Sequence, residues 1–235
     1  MRVAHTTSAT ATQPWLCRQP PHNVTQPSKF TYPFLILGLL IQVITFWLMP
    51  AHPLSLISGM LGICSVVLSA QGNILTFLFG FAQVGTYTYL CCLERFYAEI
   101  ALNVFYFLSM IYGVFVWHRR LNDQSLQVQT RVISPRWMLL ISITLLLLSL
   151  LTGWLLHRFT DDPQPYLDAF TTVPAILAQI LMVFAFREQW YLWLFVDILA
   201  TVMWLRAGNY CMAAQYAFWC INCIYGLRQW KRLSL

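Results

Sequence analysis

Trp190, Trp193, Asp197, Thr201 and Trp204 follow one another at intervals of three or four residues inside an otherwise apolar stretch. At about 100° per helical residue they share a sector of about 80°. Such a face offers three indoles, a hydroxyl and a carboxylate. Indole faces stack on flat heteroaromatic rings and attract positive charge. A carboxylate surrounded by hydrocarbon is costly and needs a partner, and a cationic ligand would serve as one. The chemistry in view is recognition rather than bond breaking. No nucleophile–base pair or metal-ligand cluster accompanies Asp197 or the second intramembrane acid, Glu99, so no catalytic residue, metal or cofactor is expected.

Other apolar stretches carry isolated polar residues at helical spacing. Gln83 and Tyr87 lie one turn apart, and Glu99, Asn103 and Tyr106 share a face. Thr172 and Gln179 are two turns apart in a segment that also holds Pro174, and Gln215, Trp219, Asn222 and Gly226 form another face. In a membrane such groups either join helices by hydrogen bonds or line an internal cavity. Together they describe a cavity of aromatics, amides and carboxylates suited to a flat aromatic ligand bearing a sugar or a positive charge.

The elements that must position these residues are read from composition. The 235 residues are 59% hydrophobic and 9% charged, against about 25% charged in soluble domains. Too few polar residues are present to cover a water-soluble surface, so an all-α polytopic membrane protein is expected. Residues 1–30, rich in Thr, Gln and Pro, read as a disordered tail without a cleaved signal peptide. Eight apolar runs follow, at about 33–49, 54–70, 73–92, 97–118, 137–157, 168–186, 189–205 and 209–230. Each is long enough to span a bilayer as a helix. The seven cysteines mostly lie in these runs as small apolar residues, and the Cys220/Cys223 pair has neither a second pair nor a nearby histidine to make a metal site.

Lysine and arginine placement orients the chain. With both termini cytoplasmic, eleven basic residues fall inside and only Arg95, Arg158 and Arg206 outside, the bias expected of cytoplasmic loops. The net charge of +6 thus reports topology, and no nucleic-acid partner is implied. Residues 97–119 also align without gaps to 210–232, with eight identities, including Ile111/Ile224, Tyr112/Tyr225, Gly113/Gly226 and Trp117/Trp230. A spacing of 113 residues across an even number of helices makes this a parallel repeat. The chain parses as a tail (1–30), an extra N-terminal helix (31–53), a first three-helix repeat (54–118), a cytoplasmic loop (119–136), a linker helix (137–157) and a second three-helix repeat (158–232). Transporters built this way bind substrate near the membrane midplane between repeats.

These residues resemble the PnuC family of bacterial vitamin transporters over about two thirds of the chain. The similarity rests on E-x-W-x-x-W-x-x-x-(N/D) at Glu188, Trp190, Trp193 and Asp197, on Gly208, Tyr210 and Ala213, and on N-x-x-Y-G-x-x-x-W at Asn222, Tyr225, Gly226 and Trp230. Tyr97, Asn103 and the first I-Y-G-x-x-x-W match its first half. The resemblance implies a SWEET-like fold, with two parallel three-helix bundles joined by a linker, here with one extra helix in front. It implies inner-membrane uptake of nicotinamide riboside by facilitated diffusion, with trapping by a cytoplasmic nicotinamide riboside kinase; thiamine or another nucleoside-like vitamin is the alternative. Substrate would stack on Trp190 and Trp193, with polar contacts from Asp197, Gln83, Asn103, Gln179 and Asn222, beside Thr172, Tyr106, Trp219 and Tyr225. Asp197 stands where nicotinamide riboside carriers commonly have Asn, which favours a cation and makes proton coupling unnecessary. Monomer and homotrimer are both compatible with the sequence.

Overall fold

The computed structural model describes residues 31–49, 52–94, 97–121, 126–161, 164–206 and 210–234. The 1–30 tail, Arg95 and Gly208 lie outside them, as do the side chains of Glu99, Trp204 and Tyr210. The eight expected helices are present: α1 (Thr31–Leu48), α2 (Pro53–Ala70), α3 (Thr76–Glu94), α4 (Tyr97–His118), α5 (Pro135–Phe159), α6 (Pro165–Val183), α7 (Gln189–Arg206) and α8 (Tyr210–Leu233). Prolines open α2, α5 and α6, where a missing N–H costs nothing. The six helices α1–α6 are long and apolar enough to cross a membrane. In α7 the apolar stretch is shorter, Gln189–Met203, and α8 alternates aromatics with Gln215, Asn222 and Gln229. The two helices with the weakest membrane signature are the two richest in expected site residues.

The helices form a ring. Within each repeat the middle helix packs against both neighbours, α3 between α2 and α4, and α7 between α6 and α8. The ring closes where α4 meets α6 and where α8 meets α2. These two contacts exchange when each residue is moved 113 positions along the chain, so the ring has a pseudo-twofold. Outside it, α1 packs on α2 and α8, and α5 packs on α6. Broad rows of exposed leucines on α5, among them Leu139, Leu146, Leu147 and Leu151, are what a lipid-facing surface requires.

The pseudo-twofold extends to individual hydrogen bonds. The Trp117 indole donates to the Met182 carbonyl at 3.0 Å, and the Trp230 indole donates to the Ser69 carbonyl at 2.9 Å. Trp117 and Trp230 correspond across the repeat, as do Ser69 and Met182. Both α2 and α6 end in the same two-bond turn. Asn73 and Gly72 donate to Leu68 and Ser69 in one, Phe186 and Ala185 to Leu181 and Met182 in the other. The turn needs a left-handed residue, supplied by Gly72 (φ 66°) and by Ala185 (φ 59°).

The loop between α4 and α5 is more than a tether. Residues 126–133 run as a strap across both turns: Val128 N–H donates to the Gly72 carbonyl at 2.8 Å and Arg131 N–H to the Ala185 carbonyl at 2.7 Å. Thr130 adds a bond to the Trp230 carbonyl. Beneath the strap lies a core shared by both repeats, containing Phe77, Trp117, Val128, Trp190 and Trp230.

Candidate functional site

The helix α7 brings Trp190, Trp193 and Asp197 together, but in different settings. Trp190 is buried and stands edge-on to Trp230, with ring centroids 5.8 Å apart. Its ring lies over Gly226, where a Cβ would come within 2.6 Å of it; only glycine allows that approach. Phe77, the matching residue of α3, lies over Gly113 in the same way and stands edge-on to Trp117 at 5.0 Å. Trp190 is therefore one corner of a four-ring cluster, with its indole nitrogen unpartnered. Trp193, one turn along, packs partly buried against that cluster.

Asp197 is 4% exposed. Its carboxylate accepts one bond, from the Cys223 thiol at 3.3 Å, and Thr201 donates to its main-chain carbonyl. Among the described residues ion pairing is confined to Arg187 and Glu188, outside the helices. A thiol is a weak donor and leaves most of the carboxylate's accepting capacity unused. The carboxylate thus sits between α7 and α8, and no cation among the described residues pairs with it.

The remaining amides divide between the two ring-closing contacts. Gln179 of α6 donates to the Ser109 hydroxyl of α4 at 2.9 Å, and Asn222 of α8 donates to the Val66 carbonyl of α2 at 3.3 Å. These bonds are also mates across the pseudo-twofold, since Val66 corresponds to Gln179 and Ser109 to Asn222. Oδ1 of Asn222 is left unpartnered and buried. Asn103 is buried at the α3–α4 seam and lines a cavity of about 250 Å³ with Val84, Gly85, Thr88, Val104, Phe107 and Leu108. Gln83 is half-buried, its side chain against Gly62 of α2.

The other expected residues lie away from Asp197 or are engaged elsewhere. Tyr106 packs on the edge of the shared core. Trp219 stands edge-on to Tyr216 at 4.9 Å and packs against the α1–α2 side, its indole nitrogen buried without a partner. Tyr225 shares a hydrogen bond of 2.7 Å with Thr31 of α1 and accepts one from Gln229, so its hydroxyl ties α8 to α1. Thr172 is exposed on α6; the two turns that align it with Gln179 on paper carry it along the helix away from the buried pair.

The sequence does not single out Ser109 or Gln189, and it presents Cys223 only as a small apolar residue. Cys223 and Ser109 are small, and their roles appear only through their partners across helix contacts. Gln189 is 1% exposed with both amide atoms unpartnered; its position four residues before Trp193 was the available signal. Five of the eight buried, unpartnered side-chain polar atoms among the described residues belong to α7 and α8, and none to α2–α4. Just before α7, Glu188 is buried and accepts from the Ile133 N–H at 3.1 Å, with Arg187 at 3.4 Å. Burial pushes its carboxyl above the ordinary range, and these donors oppose the shift.

Comparison with known proteins places this arrangement in context. Residues 52–232 match the family model described as nicotinamide mononucleotide transporter. The chain is 29% identical to a nicotinamide riboside transporter PnuC of Neisseria mucosa, over 88% of this chain and 82% of that one. It is 30% identical to a protein of the same name from Haemophilus influenzae, over 87% and 90%. A crystal structure of the vitamin B3 transporter PnuC superposes with a TM-score of 0.74 at 27% identity, covering 89% of this chain and 93% of that one.

Proposed function

The chain belongs to the nicotinamide mononucleotide transporter family, and from that premise we propose that it carries nicotinamide riboside through the membrane between its two repeats. It is a multi-pass membrane protein. The observation that carries the substrate reading is Asp197, a buried carboxylate whose one partner among the described residues is the Cys223 thiol. A pyridinium ring supplies the missing positive charge and a flat face for Trp193. Hydrogen bonds from Asn222 and from the α3–α4 side, Gln83 and Asn103, would hold the carboxamide. Gln179 would act through Ser109, holding α6 to α4. Trp190 would contact the ring when the aromatic cluster loosens, its unpartnered indole N–H being a donor in reserve. Tyr106 and Trp219 would shape the walls.

The basic residues support cytoplasmic termini in a bacterial inner membrane. The vitamin leaves unchanged in this reading, and a cytoplasmic nicotinamide riboside kinase would draw uptake forward by phosphorylation. No ion gradient is needed, because Asp197 is neutralised by the cargo itself. The test is uptake of labelled nicotinamide riboside and of thiamine into proteoliposomes. Saturable nicotinamide riboside uptake that exceeds thiamine uptake and ignores an imposed pH gradient is expected. Asp197→Asn should weaken it by about tenfold, the loss of one charge-assisted contact. Faster thiamine uptake would overturn the substrate assignment.

A further inference from the structure

Gln189, the first residue of α7, is buried to within 1% of its surface, yet neither amide atom has a hydrogen-bond partner. Burying an amide unpaired is among the costlier things a fold can do. Its mate across the pseudo-twofold shows what a satisfied residue looks like there. Thr76 opens α3 and exchanges three bonds with Ser65 of α2: its hydroxyl reaches the Ser65 carbonyl at 2.9 Å, and Ser65 Oγ reaches Thr76 Oγ1 at 3.2 Å and its carbonyl at 3.0 Å. In the second repeat the Ser65 position is Ala178, which is fully buried and has no polar side chain to offer. The second repeat has therefore replaced a closed hydroxyl pair with an open amide.

The position of that amide matters. Gln189, Trp193 and Asp197 occupy one i, i+4 ridge of α7, with steps of about 6 Å and a total reach of about 12 Å along the axis. A cationic ring balanced by Asp197 and stacked on Trp193 would direct its polar end toward Gln189. We infer that Gln189 is a specificity-determining residue of the transport site, reading the vicinal hydroxyls of a ribosyl cation. A primary amide donates and accepts from one plane, and a vicinal diol does the same. Asp197 selects for charge, which thiamine also carries; Gln189 selects for the sugar, which thiamine lacks.

This inference rests on the transport reading above, so the experiment reads the two separately. Uptake of nicotinamide riboside into proteoliposomes is measured with its 2′,3′-dideoxy analogue as competitor, for the wild type, Gln189→Leu and Gln189→Thr. Wild-type protein should prefer the riboside over the analogue by at least about tenfold, one hydrogen-bonded group's worth of discrimination. Both variants should raise KM for the riboside by about tenfold, leave the maximal rate within about twofold and bring the preference below about threefold. Gln189→Leu should also unfold at a higher temperature without ligand, because a buried unpaired amide is gone. Gln189→Thr keeps a polar group of the first repeat's kind and covers the case in which leucine disturbs the turn. Wild-type preference retained in both variants overturns the role of Gln189 while leaving the transport reading intact. Absence of riboside uptake by the wild type overturns both.

Discussion

α3 and α7 occupy equivalent places in the ring and share a backbone plan, yet only Thr88 and Thr201 are identical between them. Phe77 faces Trp190, Gly80 faces Trp193, Val84 faces Asp197 and Thr76 faces Gln189 in the pairing of one helix with the other. On α3 each of these is apolar, absent or satisfied. On α7 each is aromatic, charged or unpartnered. Val84 belongs to the apolar core with Met110, whereas the matching pair on the other side is Asp197 with Cys223. The frame is symmetric and the site is not. In the proposed reading the symmetric frame lets two bundles rock about a common axis, while α7 supplies the charged and stacking contacts that α3 lacks.

Exchanging the paired residues tests this division, and the largest effect is expected at 84 and 197. Asp197→Val gives α7 the residue of α3. It should cut nicotinamide riboside uptake by about a hundredfold, about 2.7 kcal/mol of lost recognition, while the purified protein remains folded or becomes more stable, because an uncompensated buried charge has been removed. Val84→Asp does the reverse. It buries a carboxylate against Met110 and should lower stability by roughly 3–5 kcal/mol, read as a fall in the thermal midpoint. If the two substitutions affected uptake and stability alike, the division of labour between repeats would be wrong.

How much of this was readable beforehand follows the same division. The eight helices were visible because hydrocarbon demands long apolar runs, and their ends fell close to the proline and left-handed turns that stop them. The repeat was visible in α4 and α8, where Gly113 and Gly226 must admit an aromatic ring and Trp117 and Trp230 must reach a carbonyl in the opposite repeat. It was invisible in α3 and α7, because there the repeats have diverged for different tasks. The strap at 126–133 was read as a plain linker, since main-chain hydrogen bonds leave no trace in side-chain pattern. Helical angle groups Trp190, Trp193 and Asp197 on one face of α7. Angle alone could not separate Trp190, seated on Gly226, from Asp197, seated against Cys223.

The symmetric part of the comparison makes its own prediction, of intermediate size. Trp117→Phe and Trp230→Phe each delete one inter-repeat indole bond and part of a fully buried ring. Each should cost roughly 1–3 kcal/mol of stability, and the two losses should agree within error. The double variant should lose less than the sum, because the two rings stand 5.7 Å apart and each single change already forfeits part of the contact they share. A large difference between the single variants, seen by thermal unfolding in detergent, would mean that the strap end is not held evenly by the two repeats.

The smallest effect lies in the turns that end α2 and α6. Both require a left-handed residue, and only the first repeat uses glycine there. An L-residue in that conformation costs about 1–2 kcal/mol, so Gly72→Ala should destabilise the protein by about that much; the added Cβ would also press on Leu233, whose flexible end can move aside. Ala185→Gly relieves the same strain in the second repeat but restores unfolded-chain freedom worth about 0.5–1 kcal/mol. The net gain should therefore be positive but under about 1 kcal/mol, visible as a small rise in the thermal midpoint with uptake unchanged. A loss of stability on Ala185→Gly would show that the alanine methyl, fully buried between the strap and α6, contributes more through packing than its backbone conformation costs. In that case the second repeat would have adapted its turn to the strap, extending the asymmetry of the repeats from the cargo site to the frame itself.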